Sequence, residues 1–428
     1  MNTNEKLLVV AIEKEAADVV HPAERLDEIL QYKCNEDGTA RVSKANMMMA
    51  LSRPSDCGMK IRYDQFSGNI VWSKTNSDEW TVLNDITLYN LASTLESPPA
   101  LFANIPTSIL SQAISSFSDC NQIDSMVNWI NNLEWDGVPR VEMFLSSYLS
   151  CANTPYARAV SRYIWTGLAG RILEGGSKLD MVPVLVGSQG SGKSQIVKSI
   201  APNPNYYTEI PLKVKDEDLS RLMRGKVIGE LPELSGMRDR DVESIKAFIT
   251  RTHERWIPKY CEYETTYARR LLLIGTTNED EILNDATGAR RWLPIKVGQC
   301  YPKQLVIDRN QLWAEATVLF LQAGIDWQEA ERLAPVQHQK FRDTDVWEEP
   351  VEAWLKNGNR RITMGEALEC GVKITTDKQT KALQNRMGKV LVSLGCIKRS
   401  EGNKRGWDVP SKLIGLDESD TELIGLPF

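Results

Sequence analysis

Hydrophobic positions change period several times along the chain, and each change marks an element. Residues 1–35 read as a polar helix with an apolar stripe, broken at Pro22. Met59-Lys60-Ile61-Arg62-Tyr63-Asp64-Gln65-Phe66 alternates, Ser67-Gly68 follows, and Asn69-Ile70-Val71-Trp72 returns, which predicts a hairpin with Gly68 in its turn. Helical spacing resumes from Trp80 to Leu95 and stops at a linker, Ser97-Pro98-Pro99. Residues 107–175 read as helical, interrupted at Trp135-Asp136-Gly137-Val138-Pro139-Arg140, where Asp-Gly and Pro force a turn. The stretch from Tyr156 to Leu173 is one long helix ended by Gly175-Gly176.

Three short apolar runs fit buried strands: Met181 to Val186, with Pro183 near its start, Lys226 to Gly229, and Leu271 to Thr276. Helical stretches separate them, which implies an α/β layer with a mostly parallel sheet. The character changes after residue 330, and residues 345–410 form a small basic segment with helices and a Gly-rich turn.

Composition narrows the class. A chain of 428 residues has room for two to four domains. With 42% hydrophobic and 25% charged residues it is neither disordered, collagen-like nor a disulfide scaffold. The net charge of −6 leaves nucleic-acid contact to local basic patches. The eight cysteines form no C-x-x-C pair and there are three histidines, so no zinc spacing is present. Scattered cysteines read as free thiols in a reducing compartment. The N-terminus has no signal-peptide pattern, and no apolar run approaches the ~20 residues of a membrane span. The expectation is a soluble cytoplasmic protein without membrane contact.

The strongest chemical signal is Gly187-Ser188-Gln189-Gly190-Ser191-Gly192-Lys193-Ser194, directly after an apolar strand and before a helix that starts at Gln195. This is the P-loop pattern in its strand–loop–helix context. Glycines let backbone N–H groups close on phosphates, and the helix N-terminus adds positive dipole. Lys193 would reach the β- and γ-phosphates of ATP, and Ser194 would hold Mg²⁺. Glu230 stands at the end of the second strand, where an acid would meet Mg²⁺ through water. Glu233, one tight turn later, would polarise the attacking water. Two residues separate these acids, and the sequence leaves open which carries which role. Asn278, at the tip of the third strand, suits orienting that water; a turn former is its bland alternative.

Arg290 and Arg291 follow soon after, in Thr287-Gly288-Ala289-Arg290-Arg291-Trp292. An arginine pair there suggests a finger inserted into a neighbour's ATP site, Arg290 being preferred and Arg291 second. Between the acid strand and the third strand lie Arg251, Arg255, Lys259 and Tyr260, with Arg269 and Arg270 beyond. Cations and an aromatic ring in a hairpin suit a grip on single-stranded DNA through phosphates and stacking. Glu254, Glu262 and Glu264 dilute that patch, so a solvated hairpin or subunit contact is the alternative.

Taken in order, these motifs resemble the virulence-associated E family of phages, plasmids and mobile islands, which is similar to superfamily 3 helicases within the AAA+ ATPases. The matching residues are Leu133 to Arg140, Gly187 to Ser194, Glu230 to Leu234, Lys246 to Arg251, Pro258 to Tyr260, Gly275 to Asn278 and Thr287 to Trp292. The resemblance covers about residues 59–410, most of the chain. Ala289 departs from the family's common Asn. The resemblance implies a motor without the primase domain that many relatives carry. It also implies a ring, a homo-hexamer, acting in replication of a mobile element beside host or phage replication proteins.

The C-terminal segment carries nine Lys/Arg against four acids from Ile362 to Trp407. Helices are expected from Met364 to Cys370 and from Thr380 to Leu394, then two strands joined at Glu401-Gly402-Asn403. This is a winged-helix order, with Lys381, Arg386 and Lys389 on the face offered to duplex origin DNA. A small ring-packing cap is the alternative.

The expected fold is therefore α/β: a P-loop AAA+ core of superfamily 3 helicase type with a helical N-terminal collar and a C-terminal winged helix. Its expected divisions are residues 1–105 (helix and hairpin), 106–176 (collar), 177–330 (ATPase core) and 331–428 (winged helix). The expected activity is Mg-ATP hydrolysis coupled to movement on single-stranded DNA. The competing readings are a nucleotide-regulated loading or remodelling protein without unwinding, and a P-loop kinase.

Overall fold

The computed structural model describes residues 31–211, 215–233, 242–257, 262–278, 289–341, 347–356, 361–401, 404–410 and 413. Most of the helix expected over residues 1–35 lies outside the described residues, as do Lys259, Tyr260, Thr287 and Gly288. The chain divides into two compact units, Met1–Phe341 and Arg342–Phe428.

The first unit opens with α1 (Lys44–Ser52), capped by the Ser43 hydroxyl. The expected hairpin is present as β1 (Met59–Asp64) and β2 (Asn69–Lys74), with Gly68 at φ +73° in its turn. The stretch expected to be helical from Trp80 instead begins with β3 (Thr81–Val82), and α2 spans Asp85–Leu95. Asn84 explains the delay: its side chain accepts from the Thr87 N–H and fixes the helix start there. After α3 (Thr107–Cys120) the chain makes a short strand, β4 (Gln122–Ile123), inside the region read as helical. Asp124 then caps α4 (Ser125–Asn131). The four strands form one sheet in the order β3-β2-β1-β4, covered by Met47, Leu51, Leu91, Leu95, Leu110 and Ile114.

Next come α5 (Phe144–Leu149) and α6 (Pro155–Leu173), the latter started by a Thr154 cap and Pro155 at its first position. Helix α6 is buried on nearly every face. Trp165 meets Trp313 edge-on, ring centroids 5.8 Å apart, at the centre of the main core.

The main sheet has five strands, two more than the apolar runs predicted. They are β5 (Val182–Val186), β6 (Tyr207–Glu209), β7 (Ile228–Pro232), β10 (Leu272–Thr277) and β11 (Trp292–Lys296), ordered β11-β5-β10-β7-β6 and all parallel. Strand β6 is only three residues long, and Pro294 interrupts β11, so neither gives a clean apolar run. Pro183 is the second residue of β5, near its start as expected. The β10 ladder begins at Val184, so Pro183 costs no bond on that side. Between β7 and β10 lies an antiparallel hairpin, β8 (His253–Trp256) with β9 (Thr265–Ala268). The connecting helices are α7 (Lys193–Ile200), α8 (Asp216–Met223), α9 (Val242–Thr250), α10 (Pro302–Ala323) and α11 (Gln328–Lys340).

The second unit runs α12 (Glu348–Leu355), β12 (Arg361–Ile362), α13 (Met364–Glu366, continued by a π-helical turn over Ala367–Gly371), α14 (Lys381–Ser393), β13 (Ile397–Glu401) and β14 (Lys404–Asp408). Thr363 and Glu366 form a reciprocal capping box at the start of α13. The sheet order is β12-β14-β13, over a core of Val351, Leu368, Met387, Val390, Leu391 and Trp407. Leu394, just after α14, is half-buried against the same core. Among the described residues no helix is long and apolar enough to cross a membrane.

Candidate nucleotide site

The glycine-rich segment leaves β5 at Val186 and enters α7 at Lys193. Gly190 and Gly192 take φ of +81° and +89°, where a side chain would be strained. A Cβ on Gly187 would stand 2.8 Å from the Val297 carbonyl, so only glycine fits. Within the loop Ser188, Gln189 and Gly190 are exposed, as are Ser194 and Gln195 on α7, whereas Ser191 and Lys193 are buried. The buried Ser191 hydroxyl has no hydrogen-bond partner.

Lys193 is the centre of the site. Its ammonium donates to the Gly187 carbonyl at 2.7 Å, the Ser188 carbonyl at 2.9 Å and the Asn278 side-chain oxygen at 2.8 Å. Asn278 follows β10, whose Thr277 pairs with Val186, so register alone brings it to the mouth of the loop. Its amide nitrogen donates to Glu233 at 3.2 Å. Glu233 is exposed and follows β7 at φ +50°, a left-handed turn uncommon for a glutamate.

Glu230 is 1% exposed and accepts from three hydroxyl groups. It receives the Ser194 hydroxyl at 2.6 Å, the Thr276 hydroxyl at 2.7 Å and the Tyr207 hydroxyl at 2.5 Å. Burial, helped by that carboxylate, pushes the Tyr207 hydroxyl well above the ordinary phenol range. Sequence reasoning assigned no role to Thr276 or Tyr207. Thr276 was visible as a hydroxyl two residues before Asn278; Tyr207 lies on a strand too short to be read. Hard oxygen donors on Ser194 and Glu230 suit Mg²⁺, and the left-handed glycines with a buried ammonium suit a polyphosphate.

Cys300 closes the other side. Its N–H donates to the Ser191 carbonyl at 2.9 Å, and burial pushes its thiol up to about 11 against the opposing pull of Lys193.

Arg290 and Arg291 are not part of this cluster. They form a 3-10 turn before β11, whose first residue, Trp292, pairs with Val182 at the start of β5. The loop follows the other end of β5, about 13 Å away at the rise of a parallel strand. Arg290 is exposed. Arg291 is half-buried with its Nε unpaired. Both line a cavity of about 270 Å³ with Lys178, Asp180, Trp327 and Glu331.

The proposed hairpin grip is divided by the structure. Arg255 is exposed on β8, facing Thr266 in register. Arg269 is instead 2% exposed and paired with buried Glu254, and Arg270 pairs with Asp124, so neither belongs to a surface patch. Glu254 dilutes no patch either, because it points inward. In the second unit Lys381, Arg386 and Lys389 are exposed on α14, and the Arg386 guanidinium lies 4.1 Å from the Trp347 ring centroid.

Comparison with known proteins identifies one family model, a virulence-associated protein E-like domain, matching residues 130–343, half of the chain. No curated protein matches. Solved structures with similarity include the apo C-terminal region of NrS-1, at 12% identity over 85% of this chain and 99% of that one, with a TM-score of 0.47. A JCV helicase aligns at 12% identity over 62% of this chain and 81% of that one, with a TM-score of 0.28.

Proposed function

The chain belongs to the virulence-associated protein E-like family, and we propose that it is an Mg-ATP-dependent ring ATPase that moves along single-stranded DNA in replication of a mobile element. In this reading the first unit has a P-loop AAA+ core of the superfamily 3 kind, and the second unit is a winged helix. One observation carries the proposal. Lys193, Ser194, Glu230 and Asn278 come from β5, β7, β10 and the segments that follow them, and they meet around one glycine-rich loop.

ATP is the substrate. Its phosphates would take the Lys193 ammonium from the carbonyls that now accept from it, and the loop N–H groups would add donors. Mg²⁺, held by the Ser194 hydroxyl and through water by Glu230, would neutralise phosphate charge. Glu230 is buried and held by three hydroxyl donors, which suits holding; Glu233 is exposed with one long amide contact, which suits accepting a proton from water. Asn278 would orient that water beside it. Arg290, exposed at the far end of β5, suits the phosphates of a second copy and not those of its own loop. That geometry favours a ring. The order helix, strand, helix, helix, strand, strand in the second unit supports the winged-helix reading.

The test is strand displacement by the purified protein with ATP and Mg²⁺, beside particle sizing with a non-hydrolysable ATP analogue. Displacement by a ring supports the proposal. Turnover without displacement makes the protein a nucleotide-regulated loader. A phosphorylated acceptor in place of free phosphate makes it a kinase.

A further inference from the structure

At the base of the main sheet, away from the glycine-rich loop, lies a buried charge cluster that the nucleotide chemistry does not use. Glu254 on β8, Arg269 after β9 and Arg171 on α6 are each 2% exposed or less. Arg269 Nε donates to Glu254 Oε1 at 2.7 Å, and its Nη1 donates to the Phe248 carbonyl, at the end of α9, at 2.7 Å. The second Glu254 oxygen accepts from the Ser220 hydroxyl on α8 at 3.0 Å. Tyr267 on β9 donates to the Ser220 carbonyl. Arg171 donates to the Arg269 carbonyl at 3.0 Å, and burial beside Arg269 pulls its guanidinium down to about 10.

A buried guanidinium–carboxylate pair with a second buried guanidinium beside it is a poor way to fill a core, since apolar side chains of equal volume would do so without desolvation. Such a cluster does fix orientation, because Arg269 Nε and Nη1, Arg171 Nη1 and the Ser220 hydroxyl each donate to a directed partner. The elements it orients are the informative part. Helix α8 leads through residues 224–227 into β7, which carries Glu230 and ends at Pro232, one residue before Glu233. Strand β9 leads through residues 269–271 into β10, which ends beside Asn278. One carboxylate on the hairpin therefore holds the bases of both strands whose tips carry the nucleotide site.

We propose that Glu254 is a positioning residue that joins the β8–β9 hairpin, α8 and α9 into one body, so that a load on the hairpin reaches Glu233 and Asn278 instead of being absorbed by bending at residues 269–271. The inference rests on the proposed function, in which the hairpin touches single-stranded DNA.

The experiment compares ATP turnover with and without a single-stranded oligothymidylate. For Glu254→Gln, basal turnover and oligothymidylate binding stay within about twofold of wild type, while stimulation by the oligonucleotide falls roughly five- to tenfold, the scale of a side chain that carries coupling. Normal stimulation in the folded variant overturns the inference, and so does an equal loss of basal turnover, binding and stimulation. Should Glu254→Gln not fold, the double variant Glu254→Leu/Arg269→Met removes both members of the buried ion pair; it should also turn over ATP without stimulation, and restored stimulation overturns the inference. Wild-type protein gives an independent reading. Amide exchange over His253–Trp256 and Thr265–Ala268 should change when a non-hydrolysable ATP analogue is added, and no change overturns the coupling. Wild-type turnover that no oligonucleotide stimulates counts against the functional reading itself.

Discussion

Lys193 and Asn278 are joined by a 2.8 Å hydrogen bond from the ammonium to the side-chain oxygen. The amide nitrogen of Asn278 reaches Glu233 at 3.2 Å. A cation on the oxygen side and a carboxylate on the nitrogen side fix the amide orientation, since the flipped amide would face both with the wrong polarity. The loop's cation and the exposed acid thus share one neutral partner, and whatever draws Lys193 away also loosens the hold on Glu233.

Lys193→Ala should lower phosphate release by on the order of 100-fold or more, the cost of removing one preorganised donor. The ammonium contacts only loop carbonyls and Asn278, not an apolar core, so the melting temperature should move little. Turnover at the wild-type rate from the folded variant would sink the site assignment.

Glu230 and Glu233 should separate under amide substitution. Glu233→Gln keeps the Asn278 side chain within reach of an acceptor but removes the base, so the variant should bind ATP and hold it unhydrolysed. In Glu230→Gln, three hydroxyl donors lose an anionic acceptor. Its turnover should demand more Mg²⁺ and its stability should fall. Nucleotide retention and Mg²⁺ titration measure both; retention by Glu230→Gln alone would reverse the two roles.

Alkaline conditions should weaken the fold near the loop. The Cys300 thiol is raised from 9.0 to about 11, so between those values the unfolded chain loses a proton that the folded chain keeps. Fewer protons bound to the unfolded state means stability falls as pH rises. The contribution is complete below pH 9 and lost through pH 11. Melting temperature against pH should decline less steeply in Cys300→Ala than in wild type; identical slopes would remove Cys300 as a cause.

How much of this was legible in the sequence depended on how locally each feature was encoded. The loop, the hairpin with Gly68, α6 and the α13–α14 pair all announce themselves in consecutive residues. Strands β6 and β11 do not, because three residues carry no period and a proline inside a strand disguises it. The donors around Glu230 were half visible: Ser194 and Thr276 flank recognised motifs, whereas Tyr207 is brought in only by the β6–β7 pairing. Arg269 was misread for the same reason. A cation next to another cation looks like surface until its partner, Glu254, is folded 15 positions away onto it.

Arg290 should act between subunits. Its turn opens β11 at the end of the sheet opposite the loop, so a single chain offers no short path from the guanidinium to its own Lys193. Arg290→Ala and Lys193→Ala should each be inactive alone. Mixed, they should regain part of the turnover, because some interfaces then pair an intact loop with an intact arginine. Verified mixing without recovery would place the role inside one chain. Recovery with Arg291→Ala in place of Arg290→Ala would move it to the half-buried arginine.

The second unit offers Lys381, Arg386 and Lys389 from α14, while Met387, Val390 and Leu391 of the same helix are buried. If this face binds duplex DNA, affinity should fall by about 0.9 log units per log unit of salt for each phosphate neutralised. Arg386 complicates a simple triple substitution, because its guanidinium also stacks on Trp347 and its removal costs packing as well as charge. The cleaner variant is Lys381→Ala/Lys389→Ala in the full-length chain. It should reduce the salt slope of duplex binding by about two phosphates' worth. It should leave ATP turnover without DNA unchanged, since every nucleotide-site residue lies in the first unit. A ring-packing cap predicts otherwise: an unchanged salt slope, with smaller particles once the cations are gone. Salt titration of duplex binding and a sizing run on the same preparation distinguish the two.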